Sequence, residues 1–145
     1  MKLSDLVKPK WQHSDPAVRQ GAIASGLDAA TLETVIREDE DASVRHAAIQ
    51  HCTDNNLLQS VASSTRDTAE AIRRLGELIT TSNDAATVYA SLPDPSRLTF
   101  FVALRATDVQ LALLESALAD TQAETLLDQP LPAAVQTACV DTVAD

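Results

Sequence analysis

The feature that most constrains this chain is an internal repeat. Asp15-Pro16-Ala17-Val18-Arg19-Gln20-Gly21-Ala22-Ile23 recurs as Asp41-Ala42-Ser43-Val44-Arg45-His46-Ala47-Ala48-Ile49, a D-x-x-V-R-x-x-A-I element at an offset of 26. A second step of 26 reaches Asp67, with Leu75 continuing Ile23 and Ile49, and a step of 27 then finds Asp94-Pro95-Ser96-Arg97-Leu98. The segment Ala134-Val135-Gln136-Thr137-Ala138-Cys139-Val140 is a worn copy with Gln136 in place of the arginine. Units this small cannot bury an apolar face alone, so a period in this range commits the chain to stacking similar units on one another.

Each position in the element has a physical role. The aspartate ends a tight turn and caps the following helix by accepting from its free backbone N–H groups. Pro16 and Pro95 suit a first helical position, where a missing N–H costs nothing. Val18, Ala22 and Ile23, like Val44, Ala48 and Ile49, form one apolar stripe. Small residues at 21, 22, 47 and 48 are expected to let neighbouring helices approach closely. Asp15 with Arg19 and Asp41 with Arg45 are spaced i, i+4 and are expected to pair along their own helices.

Second helices lie between the copies. Asp28 caps a helix over Ala29 to Glu38 with Leu32, Val35 and Ile36 on one face, and Leu58 and Val61 mark its counterpart over Asn55 to Ser63. Further helices are expected at Thr68 to Thr80, Ala85 to Leu92, Ser96 to Ala106 and Val109 to Ala119, with weaker ones at Thr121 to Gln129 and Pro132 to Val143. Connectors carry turn chemistry, as in Ser82-Asn83-Asp84, Pro93-Asp94-Pro95 and Gln129-Pro130-Leu131-Pro132. After Asp108 two frames compete: the period puts a second helix near Gln122, whereas the best motif match is at Val135.

Composition agrees with helices. Aromatics are limited to Trp11, Tyr89, Phe100 and Phe101, and there are 3 glycines in 145 residues. No apolar run approaches the ~18 residues of a membrane span, and Met1-Lys2-Leu3-Ser4-Asp5 does not read as a signal peptide. Cys52 and Cys139 read as small core residues of a protein in a reducing cytoplasm. Net charge is −10 and polarised: Lys2, Lys8, Lys10 and Arg19 dominate the first residues, while every charged residue after Arg105 is acidic. Such a tail disfavours nucleic acid.

Motifs for chemistry are missing. No C-x-x-C, H-E-x-x-H or G-x-S-x-G occurs, His46 and His51 are wrongly spaced to share a metal, and the glycines are isolated. No catalytic, metal or cofactor residues are therefore assigned, and the chain is not read as an enzyme. Glu38-Asp39-Glu40-Asp41 reads as a solvated acidic turn. Arg19, Arg45, Arg73, Arg74, Arg97 and Arg105 are read as lying on or near the second helices, where they would form a basic groove for an acidic peptide or for DNA. Arg73 and Arg74, which match no repeat position, are candidate partner contacts together with His46, Gln50 and Trp11; Trp11 is read first as a plug over the N-terminal end of the stack and only second as a partner contact.

The D-x-x-V-R-x-x-A-I element with its alternating two-helix period resembles the HEAT-like repeat family. That resemblance implies an all-α fold, a right-handed α-superhelix (solenoid) of HEAT-like helical hairpins, with about five repeats sharing the 26-residue period. It also implies that Asp15, Arg19, Asp41 and Arg45 form a ladder between successive repeats, and that second helices line the concave face. Lys8-Pro9-Lys10-Trp11-Gln12-His13-Ser14-Asp15-Pro16 more narrowly resembles the N-terminal arm of a large bacterial, coiled-coil-rich family. The expected organisation is one domain over residues 1–145, strong at 12–80 and degenerate at 81–145, forming part of a longer protein. The expected function is a non-catalytic scaffold for a protein partner, with association through an uncapped C-terminal face. DNA binding or base excision, a tetrapyrrole lyase of the phycobilin class, and a spacer or self-association module are the alternatives.

Overall fold

The computed structural model describes residues 7–117 and 124–144, and every regular element among them is helical. Among these residues, nine helices with both ends described follow a 3-10 turn at Lys10–Gln12: α1 Pro16–Ala24, α2 Ala29–Glu38, α3 Ala42–His51, α4 Asn55–Ala62, α5 Thr68–Leu78, α6 Ser82–Ser91, α7 Asp94–Ala103, α8 Thr107–Ala117 and α9 Ala133–Ala144. None is long and apolar enough to cross a membrane. At 8 to 12 residues such helices are marginal in isolation and depend on packing.

The repeat sets the helix starts. α1, α3, α5 and α7 begin at Pro16, Ala42, Thr68 and Asp94, each one 26-residue period after the last. The third step is therefore 26 rather than 27, because Pro93 and not Asp94 occupies the position before the helix, and Asp94 and Pro95 fall inside its first turn. Caps form where side-chain oxygens precede a helix. Asp15 accepts from Ala17 N at 2.9 Å, Asp28 from Thr31 N at 3.0 Å, Asp41 from Ser43 N at 2.8 Å and Asp54 from Asn56 N at 2.9 Å, each satisfying a backbone N–H that the helix leaves free. α6 starts a little earlier than the turn residues imply, because the Thr81 hydroxyl caps Asp84 N at 3.2 Å. Within the expected helix Thr121 to Gln129, residues 124–126 are helical and 127–128 form a turn; 121–123, Gln122 included, lie outside the described residues.

Packing divides the chain into two compact units, Met1–Ala71 and Ile72–Asp145. In the first, α1 and α2 both pack on α3 and the 3-10 turn packs on α1. Its core contains Ile23, Val35, Ile36, Val44, Ile49 and Leu58, all buried. In the second, α8 is the centre, with α6 and α9 against it, and Phe100, Phe101, Leu113 and Val135 are sealed from solvent. The close helix approach expected at the small residues of the motif occurs elsewhere. A Cβ on Gly21 would meet nothing within 4 Å, whereas one on Gly76 of α5 would lie 2.6 Å from Ala103 Cβ of α7.

Candidate functional site

The most ordered polar chemistry in the first unit is a pair of arginine clamps. Arg19 donates through Nε and Nη2 to the Asp39 carboxylate at 2.7 and 2.9 Å, and through Nη1 to the carbonyls of His13 and Ser14 at 2.8 and 3.4 Å. Arg45 repeats the arrangement: Nε and Nη2 reach Asp67 at 2.6 and 3.3 Å, and Nη1 reaches the carbonyls of Asp39 and Glu40 at 2.9 and 3.0 Å. In both cases the carbonyls lie six and five residues before the arginine, so one side chain pins its own entry turn and the following connector together. Planar guanidinium forks favour this two-sided geometry.

This corrects two expectations. Arg19 and Arg45 do not take their main partners from their own helices; they turn to carboxylates 20 and 22 residues ahead. Asp15 and Asp41 serve as caps, and the ladder acids are Asp39 and Asp67. Asp39 belongs to what reads as a solvated acidic run, yet its side chain is 8% exposed. Its Oδ1 also accepts from Asp41 N, and its carbonyl from Arg66 as well as Arg45. Asp67 holds a left-handed backbone conformation, φ 57°, with its carboxylate on Arg45 and on His46 Nε2 at 2.8 Å. Burial pushes the Asp67 carboxyl up, but the hydrogen bonds and charge of Arg45 and His46 outweigh this and hold it below the usual carboxylate range. Arg19 is raised, chiefly by its hydrogen bond to Asp39.

The clamp decays along the chain without vanishing. Arg97 of α7 donates to the carbonyl of Tyr89 at 3.1 Å, stacks over the Tyr89 ring at 5.4 Å and pairs with Asp94. Gln136 of α9 still reaches back to the Gln129 carbonyl at 3.5 Å. Arg19, Arg45, Arg73, Arg74 and Arg97 thus sit on first helices, α1, α3, α5 and α7, with Arg105 just beyond α7; Arg37, on α2, pairs with Glu33 of the same helix.

The candidate contact residues fall in both units, Trp11, His46 and Gln50 in the first and Arg73 and Arg74 in the second. Trp11 rides on the 3-10 turn, half-buried, and lines an open cleft of about 490 Å³ with Lys8, His13, Thr34, Glu38 and Glu40. His46 is held by Asp67, and Gln50 Nε2 donates to Glu70. Arg74 pairs with Glu77 at 3.1 Å in the second unit, where Arg105 shares the same carboxylate at 2.9 Å; both guanidinium groups lower the Glu77 carboxyl against the upward push of burial. Arg73 and Arg105 flank a shallow groove of about 380 Å³ floored by Leu98, Val102 and Ala103. Nothing in the motif reading pointed to Gln110, which is buried on α8: its Nε2 donates to the Phe101 carbonyl at 3.1 Å while its Oε1 finds no hydrogen-bond partner.

Among the described residues no three His, Cys, Asp or Glu side chains group as a metal site. Comparison with protein-family models, curated proteins and solved structures gave no match to this chain.

Proposed function

We propose that this chain is a HEAT-like repeat scaffold that acts by holding a protein partner, with no chemistry of its own. The observation that carries this reading is the duplicated clamp: Arg19 and Arg45 make the same two kinds of contact in helices that start one period apart. Buried cations used to lock one turn to the next give a stiff repeat surface, and they are withdrawn from any anion-binding groove. That weakens the base-excision alternative, which needs free cations and aromatics at a flipped base. The acidic balance of the chain points the same way.

Removing residues 42–67 tests the repeat. This deletion excises one whole period and leaves Asp41 before Thr68, so a helical protein with a cooperative melt is expected. Removing only 42–54 breaks the frame and should abolish cooperative unfolding; equal behaviour of the two deletions would refute the repeat. Binding is tested with a photo-crosslinking residue at exposed positions of the full chain in its native cell. Discrete adducts confined to one face support the scaffold. Retention of duplex DNA at ~50 mM salt, lost as salt rises, would replace it with a nucleic-acid function.

A further inference from the structure

We infer that a small cleft in the first unit, formed by α2, α4 and the connector 63–67, is a binding site for a phosphate monoester. The inference goes beyond the repeat-scaffold reading and does not depend on it.

The cleft has a volume of about 220 Å³ and draws its polar side chains from three segments: Arg37 of α2, Ser60 of α4, and Thr65 and Arg66 of the connector. Buried Ile36 and Val61 supply its apolar lining. Each arginine is held by one edge. Arg37 Nε donates to Glu33 at 2.8 Å, and Arg66 Nη2 donates to the Asp39 carbonyl at 3.1 Å. Their other N–H groups, and the Ser60 and Thr65 hydroxyls, meet no partner among the described residues. Unclaimed donors therefore gather around one cavity, which is the chemistry of an anion site.

Groups that would repel an anion are already matched. The end of α4 carries partial negative charge, but its carbonyls are occupied: Gln59 O accepts from Ser63 N and Oγ at 3.0 and 2.9 Å, and Val61 O from Ser64 N and Oγ at 3.0 and 2.7 Å. Asp67, which also lines the cleft, has its carboxylate on Arg45 and His46. Among the charged groups that line the cleft or pair with its lining, Arg37, Arg45 and Arg66 meet only Glu33 and Asp67 besides His46. The connector is also ordered, with the Ser64 hydroxyl 2.9 Å from the Arg66 carbonyl and Thr68 Oγ1 donating to the Ser64 carbonyl at 2.7 Å. Thr65 and Arg66 are thus presented on a tied loop.

The number of donors selects the anion. A carboxylate is satisfied by a single guanidinium edge, whereas a phosphate monoester carries close to two negative charges on three acceptor oxygens and can use donors from all three segments. The Arg37–Glu33 pair is about half exposed on both sides, and such pairs are weak enough for a dianion to compete with. The cleft is smaller than the ~300–1,000 Å³ of pockets that enclose a drug-sized molecule, so it takes the phosphoryl group and leaves any carrier outside. That group arrives either on a phosphorylated side chain of another protein or as free inorganic phosphate.

The test is an NMR titration of the full chain, read at its backbone amides, at ~50 mM salt. The ligands are inorganic phosphate and three short glycine peptides whose central residue is phosphoserine, serine or glutamate. Saturable shifts are expected at the amides of Arg37, Thr65 and Arg66, with the phosphoserine peptide binding at least tenfold tighter than the serine and glutamate peptides. Inorganic phosphate binding as tightly as that peptide makes the ligand free phosphate; weaker binding makes it a phosphorylated side chain. Arg37→Gln and Arg66→Gln should each weaken the tighter ligand at least tenfold with unchanged melting, while Arg97→Gln in the second unit leaves binding as it was. Should Arg66→Gln disturb the fold, Arg37→Gln decides alone, since its pair is exposed. No saturation by ~10 mM phosphate or phosphopeptide, equal binding of the glutamate peptide, or binding indifferent to Arg37→Gln overturns the proposal. The scaffold reading is untouched by that failure, and it falls by itself if the one-period deletion does not fold.

Discussion

Arg45 Nε lies 2.6 Å from Asp67 Oδ2, with the two side chains 9% and 6% exposed, while Nη1 of the same guanidinium holds the carbonyls of Asp39 and Glu40. One residue therefore fixes three separate stretches of the first unit. Breaking a buried, hydrogen-bonded pair strands the other charge, whereas an exposed pair such as Arg37–Glu33, at 48% and 49% exposure, contributes little.

Arg45→Met should lower unfolding free energy by about 3 kcal/mol in urea melts, and Arg37→Met by less than ~0.5 kcal/mol. Adding Asp67→Asn to Arg45→Met should recover part of the loss, because asparagine removes the stranded charge and tolerates the left-handed backbone at this position. Similar costs for Arg45→Met and Arg37→Met would remove the clamp from the account of stability.

Asp67 gives the first unit a defined acid sensitivity. Its folded carboxyl titrates below the unfolded value, so the unfolded chain binds the proton more readily, and stability rises with pH across that window. The contribution is fully present above the ordinary carboxylate range near ~4 and disappears as pH falls through the lowered folded value. Urea midpoints measured from pH 6 down to pH 3 should fall for the wild type and fall less steeply for Asp67→Asn. Parallel curves would show that this carboxylate is not responsible.

Two glycine substitutions should act in opposite directions. A methyl at Gly21 meets open space, so Gly21→Ala should stabilise α1 by up to ~1 kcal/mol through helix propensity. At Gly76 the added Cβ would lie 2.6 Å from Ala103 Cβ and 3.0 Å from the Phe100 carbonyl oxygen, and overpacking of about 1–3 kcal/mol outweighs the propensity gain. Thermal melts should therefore move up for Gly21→Ala and down for Gly76→Ala. A rise for both would mean that α5 and α7 are further apart than described.

The two thiols should be slow. Cys52 and Cys139 are buried and form no disulfide, and burial pushes the Cys139 thiol above its usual value, which reduces the reactive thiolate. A disulfide-exchange reagent should label both at once in denaturant and neither promptly in the folded protein. Prompt single labelling under native conditions would point to an exposed cysteine and a different packing of α3 or α9.

Local chemistry was legible wherever one residue suffices to do the job. Asp15, Asp28 and Asp41 read as caps and are caps, since an N-cap needs only its own side chain and the next few amides. Leu32, Val35 and Ile36 read as a buried stripe and are buried, because helical spacing places them on one face. Helix starts at Ser82, Asp94 and Thr107 fall a few residues before the expected ones, as Thr81 and the Pro93 region offer starts that turn composition alone ranks no higher than their neighbours.

Pairing across distance was not legible. Nothing near Arg19 in sequence marks Asp39 over Asp15, and Gly76 resembles Gly21 until Ala103 is brought against it. The sequence by itself determined the 26-residue period, the helical class and the capped starts, because these depend on contacts within about one turn. Only the tertiary structure decided which acid each arginine meets, which glycine must lack a side chain, and that Val140 stands open where Ile23 and Ile49 are shut. Those outcomes depend on the neighbour that packing supplies.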